Sequence, residues 1–292
     1  MSRYRFVDDH RAAYPVRRLC AAAGVPRSSF YAWASRTPGS RHLANVRLLE
    51  VIREIHATSL GTYGRVRIQG QLQRRGIRVN HKRVARLMRA NRIRGVGGPG
   101  AKARRHAGRR VVPYPDLIGR DFTAPAPDRR WVADLTEFPT LEGRLYLAGV
   151  MDLYANRIVG WAMGPRRTGE LVVDALVMAL ARRQPEAGVI HHADHGSQYT
   201  CMRFTDRALD EGVALSFGRV GTCADNAAME AFWSTLKREL AHIHSHRIWP
   251  TRIALRAALF EYLEVFYNRQ RHQTRLGHRT PAEYEHDTVS AA

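Results

Sequence analysis

At Trp131 the pattern of the chain changes, and that change limits the folds open to it. Three strand-like runs follow one another from there: WVADLTEF (131–138), RLYLAGVMDL (144–153) and RIVGWAM (157–163). Short turns at Glu142-Gly143 and Ala155-Asn156 join them. A helical pattern at about 168–184, a fourth strand VIHHAD (189–194), a further helix, a short strand VALSF (213–217) and a long helix from about 225 complete the series. Strands first and alternating elements afterwards predict an α/β unit, a mixed sheet with flanking helices.

Before Trp131 the patterns are helical. Val16, Leu19, Cys20 and Ala23 mark a short helix that meets Gly24, and Pro26 opens a second one carrying Arg27, Ser28 and Ser29 at its start. The spacing of Cys20, Gly24 and Phe30 is that of a helix-turn-helix, although any helical hairpin could share it. After TPGSR come helical patterns at about 43–57, 64–75 and 80–91, the last with Asn80 as its N-cap. Val84, Leu87 and Met88 face one way on that helix, and Lys82, Arg83, Arg86 and Arg89 face others. The expected division is a helix-turn-helix-like unit at 1–40, a second all-α DNA-binding unit at 41–95, a basic linker at 96–128, and a core with its C-terminal helices at 129–288.

Charge follows the same division. Residues 1–130 hold 29 Lys and Arg against 7 Asp and Glu, and residues 131–292 hold 18 against 19. Only three of the basic residues are lysine, and arginine pairs bidentately with phosphates and guanine edges. A general arginine bias would not leave the second part neutral, so the first part is expected to bind nucleic acid, with Arg27, Ser28, Arg65, Arg67, Lys82, Arg83 and Arg86 as contacts. Three cysteines without a CxxC pair speak against a disulfide framework and against a four-ligand zinc site. No apolar run approaches a membrane span, and the expected location is the cytoplasm, at the nucleoid.

Three acids stand in strand-end or helix-start positions. Asp134 lies inside the first strand, Asp194 ends the fourth, and Glu230 sits in the first turns of the long helix. Acids placed there are costly unless paired or metal-bound, and a cluster of them would suit Mg²⁺. Asp152 and Asp225-Asn226 fit a turn and a helix N-cap better than ligands. His191, His192 and His195 read as polar residues of a strand end, with His195 near DNA. The aromatics of EYLEVFYN (261–268) read as core, and Arg269, Arg271 and His272 as exposed candidates for DNA.

These runs, with HHADHGSQYT (191–200), VGTCADNAAMEAFWSTLKREL (220–240) and YNRQRHQTRLGHRTPAEY (267–284), resemble retroviral-type integrases and, most closely, the second-frame (OrfB) transposases of the IS-three family of bacterial insertion sequences. Thirty-five residues separate Asp194 from Glu230, as in that family's acidic triad, and Ala193 departs from the serine usual before the second aspartate. The resemblance covers nearly the whole chain. It implies an RNase H-like core and a catalytic, metal-binding triad of Asp134, Asp194 and Glu230 that holds two Mg²⁺, with Mn²⁺ as a substitute. It places Lys237 on DNA. It implies nicking of transposon ends, followed by attack of the freed 3′-hydroxyl on another phosphodiester. The implied partners are terminal inverted repeats, target DNA and an upstream-frame OrfA protein or a fusion with it, with multimers forming on DNA. A catalytically silent DNA-binding regulator is the alternative, and an intact triad speaks against it. A nuclease without strand transfer would have no use for the helical units ahead of the core.

Overall fold

The computed structural model describes residues 3–35, 39–97, 114–218 and 226–289; positions 98–113 of the basic stretch expected as a linker, as well as Cys223 and Asp225, lie outside them. The chain forms two compact units, 1–51 and 52–292.

The first unit contains α1 (Arg3–His10), α2 (Val16–Ala23), α3 (Arg27–Ala34) and the start of α4 (Ser40–Thr58). Gly24 takes φ +64° between α2 and α3, as the turn there requires. Val7, Leu19, Cys20 and Phe30 make a small core, with Tyr4 and Trp33 stacked beside it. Each such side chain contributes roughly 1.5–3 kcal/mol. Helix α1 is an addition to the expected pair; seven of its eight residues are polar or aromatic at the surface, and Val7 alone is buried.

The second unit begins within α4. It continues through α5 (Arg65–Arg74) and α6 (His81–Ala90). Asn80 caps α6 by accepting from the Lys82 amide at 2.8 Å, and Val84, Leu87 and Met88 are buried.

The sheet comprises β1 (Arg130–Thr140), β2 (Gly143–Asp152), β3 (Arg157–Gly164), β4 (Ile190–Ala193) and β5 (Ala214–Phe217) in the order β3-β2-β1-β4-β5. The first three are antiparallel, while β4 runs parallel to both β1 and β5. This is the mixed RNase H-like sheet with flanking helices. One face carries α7 (Gly169–Arg183) and α8 (Met202–Asp210), packed on Trp131, Ala133, Val150 and Leu215. The other carries α9 (Ala227–His244), α10 (Arg252–Phe260) and a π-helical segment, Glu261–Tyr267, packed on Val132, Phe138, Leu147 and Met151. Tyr262, Phe266 and Tyr267 are core, as their spacing predicts. A 3₁₀ turn (Thr274–Leu276) and α11 (Pro281–Val289) close the described chain. Among the described residues no helix is long and apolar enough to cross a membrane.

Two arginine contacts correct the sequence reading. Arg271 is buried, not exposed: its guanidinium grips Glu239 of α9 at 2.7 and 2.8 Å. Tyr262 donates to the same carboxylate at 2.7 Å, and Arg67 of α5 approaches it at 3.5 Å. His272 is half-buried, with its amide donating to the Tyr63 hydroxyl at 2.7 Å. Arg74 reaches Glu283 of α11 at 3.0 Å. Helix α5 is thus fastened to the C-terminal elements, which is why it belongs to the same compact unit as the sheet. Glu239→Gln leaves Arg271 buried without its counter-charge, and about 3–5 kcal/mol of stability should go with it. The Arg271 hydrogen bonds hold the Glu239 carboxyl below its ordinary value despite the opposing effect of burial. A lowered carboxyl stabilises the fold above the unfolded-state value, and that contribution disappears as pH falls through the folded one. Thermal unfolding should therefore separate the two proteins at pH 7 and bring them together in acid; a constant gap would contradict the ion pair.

Candidate active site

Alternation along β1 turns Val132, Asp134 and Phe138 toward α9. Half-buried Asp134 accepts from the Leu135 amide at 2.7 Å through Oδ1 and from Trp233 Nε1 at 3.0 Å through Oδ2. Trp233 can lie this close because Gly149, the β2 partner of Asp134, has no side chain; a Cβ there would stand 2.8 Å from the indole. Loss of hydration, and then the charge of Asp194, push the Asp134 carboxyl up to about 7, against the two hydrogen bonds and the charge of Arg167.

Asp194 owes its place to the parallel pairing. Ala133 lies opposite Ala193, so the next residue of each strand is one of the aspartates. Functional groups gather at such carboxyl-terminal strand ends in α/β sheets. Asp194 is exposed and accepts from the Gly196 amide at 3.0 Å. Helix α9 brings the third acid. Asn226 at its start does not cap it with its side chain; it donates to the Ala133 carbonyl at 2.9 Å and ties the helix to β1. Glu230 lies one turn before Trp233 and Lys237 one turn after it, all on one helical face. Lys237 places its ammonium 5.3 Å from the Phe138 ring centre. Burial lowers its pKa while the charges of Glu137 and Asp134 oppose that shift.

A tighter acidic group exists elsewhere. Ligand atoms of Asp128, Asp152 and Glu285 lie within 4.8 Å of one another, the one such group among the described residues. Arginine already occupies it. Arg183 donates to Asp128 at 2.8 and 2.9 Å and to Glu285, and Arg157 also pairs with Glu285. Asp152 accepts two backbone amides, at 2.7 and 2.8 Å. The group sits where β1 begins, opposite Trp131, roughly 10 Å along the strand from Asp134. Its geometry is that of an ion-pair network tying α7 and α11 to the sheet edge, as expected for Asp152, and it leaves little room for a cation.

Residues 124–223 and 230–289 match two integrase core domain families, and residues 44–97 match an HTH-like domain family. The chain is 41% identical over 266 residues to the 31 kDa protein of insertion element IS600 from Shigella sonnei, covering 91% of this chain and 97% of that one. It is 32% identical over 290 residues to the InsF transposase of IS3 from Escherichia coli, covering 99% and 100%. The chain belongs to the IS3 family of insertion-sequence transposases. The IS904 transposase of Lactococcus lactis is 36% identical, covering 86% and 98%. Among solved structures, the HTLV-2 integrase catalytic core domain in complex with magnesium is similar at 14% identity and a TM-score of 0.43, over 56% of this chain and 99% of that one. By the family matches and the transposase relatives, this chain is an enzyme of the DDE transposase and integrase class, acting on DNA.

The structure adds contacts that the sequence did not reveal. Trp233 and Asn226 meet their partners 99 and 93 positions away, which local spacing cannot reveal. The Tyr199 hydroxyl is buried with no hydrogen-bond partner among the described residues, and burial, then the charges of Asp134 and Asp194, raise its pKa. Arg167, exposed after β3, acts electrostatically on both Asp134 and Tyr199. His191 and His192 are core residues, the first held neutral with a pKa of about 4 by burial and by its neighbour His192. His195 stacks on Phe217 with ring centres 5.5 Å apart. Of the expected DNA contacts, Arg27, Ser28, Arg65, Lys82 and Arg86 are exposed and Arg83 is half-buried. Arg67 is committed to Glu239. Trp233→Phe keeps the ring and removes the donor to Asp134; a tenfold to hundredfold fall in cleavage is expected, as for other groups that orient metal ligands. Single-turnover rates at saturating DNA test this, and unchanged rates would show that the bond is incidental.

Proposed function

We propose that this transposase nicks the ends of its insertion sequence and joins the exposed 3′-hydroxyl to another phosphodiester, with Asp134, Asp194 and Glu230 as the catalytic, metal-holding residues. The supporting observation is that Asp134 and Asp194 end the parallel pair β1/β4 while Trp233 clamps the Glu230-bearing helix to Asp134. The donor set fits a hard divalent cation. It is all carboxylate oxygen, and the charge of Asp194 raises the Asp134 pKa, a repulsion that a cation between them would relieve. Two Mg²⁺, or Mn²⁺ in their place, would neutralise phosphate oxygens and stabilise the attacking and leaving oxygens. The protein groups do the positioning: Trp233 and the Leu135 amide orient Asp134, the Gly196 amide orients Asp194, and Lys237 offers a cation to a phosphate.

In the first step water attacks phosphorus, the P–O3′ bond breaks, and a 3′-hydroxyl and a 5′-phosphate result. In the second, that hydroxyl forms a new P–O bond as another breaks, so one phosphodiester replaces another and no external energy source is needed. The DNA partners are the terminal inverted repeats and the target, met at the nucleoid. Pairing two ends takes at least two protomers, and fusion to an upstream-frame OrfA protein would supply the pairing. End-joining should accordingly be higher for the fused chain than for this chain alone; equal activity would remove OrfA from the account. The catalytic reading is tested with labelled duplexes of the element's own ends. Nicked 3′-hydroxyl product and joined strands are expected with Mg²⁺ and none with chelator. Tight end binding without nicking in either Mg²⁺ or Mn²⁺ would favour the silent regulator instead.

A further inference from the structure

Past Lys237, α9 borders a groove of about 610 Å³. Phe138, Leu240 and Trp249 form its floor, and Val96, from the segment that follows α6, forms part of a wall. Arg238 and Arg247 line it beside Lys237. Among the described residues neither arginine has an acidic partner. Exposed Arg247 makes no ion pair among the described residues, and Arg238 bonds only to the hydroxyls of Ser234 and Thr235. The one acid in the lining, Glu137, is already paired with Arg144.

The cations are strung along the groove. Lys237 and Arg238 stand on α9, and Arg247 follows the end of that helix, which lies about 10 Å further on along its axis. A small anion needs donors that converge; cations spread over that length suit repeated charges, such as successive phosphates of a DNA strand. Two members of the lining also point to DNA. Lys237 lies close enough to Asp134 to respond to its charge, and Val96 hydrogen-bonds to Thr62, just ahead of α5.

We propose that this groove is a track for the phosphodiester backbone of the bound DNA end, running from the α5/α6 helices to the carboxylates, with Arg238 and Arg247 each holding a phosphate. The inference rests on the DNA-end reading above and extends it to residues outside the acidic centre. It would fix how far the helices that read the end stand from the bond that is cut.

The test measures binding of the full chain to a labelled end duplex between 50 and 200 mM salt. Arg238→Ala/Arg247→Ala should lower the magnitude of the log–log salt slope by about two and weaken binding roughly tenfold to hundredfold at 0.1 M. Arg247→Ala alone loses no ion pair among the described residues and should remove about one unit with thermal unfolding unchanged. Arg207→Ala, on α8 and paired with Glu211, should leave the slope as in wild type. Wild-type slope and affinity in both groove variants would overturn the track, as would a wild-type chain that binds no end DNA. Failure of the catalytic reading looks different: the slopes change as expected, yet wild type nicks nothing with Mg²⁺.

Discussion

Asp134→Asn, Asp194→Asn and Glu230→Gln should each lower nicking and joining by about 10³-fold or more while leaving end binding in place. Removing one ligand from a site that neutralises a phosphoryl transition state removes several kcal/mol, and each 1.36 kcal/mol is about tenfold in rate. The substitutions should not unfold the chain. Asp194 and Glu230 are exposed. Asparagine at 134 keeps one carbonyl oxygen and so accepts from Trp233 or from the Leu135 amide but not from both, a loss that removal of the buried charge offsets. Because burial and Asp194 raise the Asp134 carboxyl to about 7, its ionised form is disfavoured in the folded protein. Removing that charge should leave thermal stability at neutral pH equal to or above wild type. Near-wild-type cleavage by any one of the three would remove that residue from the centre.

Binding of end DNA should fall about 10³- to 10⁵-fold between 50 and 200 mM salt, the loss expected when six to ten phosphates are neutralised. The excess of 29 basic over 7 acidic residues in positions 1–130 is the basis. The structure sorts these cations. Arg67, Arg74 and Arg75 are engaged with Glu239, Glu283 and Glu54, whereas Lys82 and Arg86 are exposed on α6. Lys82→Ala/Arg86→Ala should therefore cut the salt slope by about two, and Arg67→Ala should lower thermal stability with little effect on the slope. Affinity that hardly varies with salt would contradict an electrostatic footprint.

Features that depend on short-range pattern were legible in the sequence. Alternation marked β1 to β3, Asn80 marked the start of α6, and the strand-end position of Asp194 marked its rim location. What stayed hidden depends on contacts between distant positions. Arg271 looked like a surface cation because nothing near it in sequence is acidic; Glu239, 32 residues earlier, buries it. The docking of α5 onto α11 and the 3₁₀ turn is likewise a matter of tertiary contacts. Helix α1 escaped because one buried valine sets no period. Asp134 was placed on its strand correctly, but the indole that holds it and the bare glycine that admits the indole came only with the fold.

Two acidic groups lie on this sheet, and the account assigns chemistry to one of them. The most direct measurement compares Mg²⁺-dependent nicking by Asp194→Asn and by Glu285→Gln, each normalised to folded protein. Glu285 is buried against Arg183 and Arg157, so its variant should lose stability and keep its cleavage rate per folded molecule. Asp194→Asn should stay folded, bind ends and cleave nothing. A cleaving Asp194→Asn beside a folded, inert Glu285→Gln would move the catalytic centre to the other group and contradict the account.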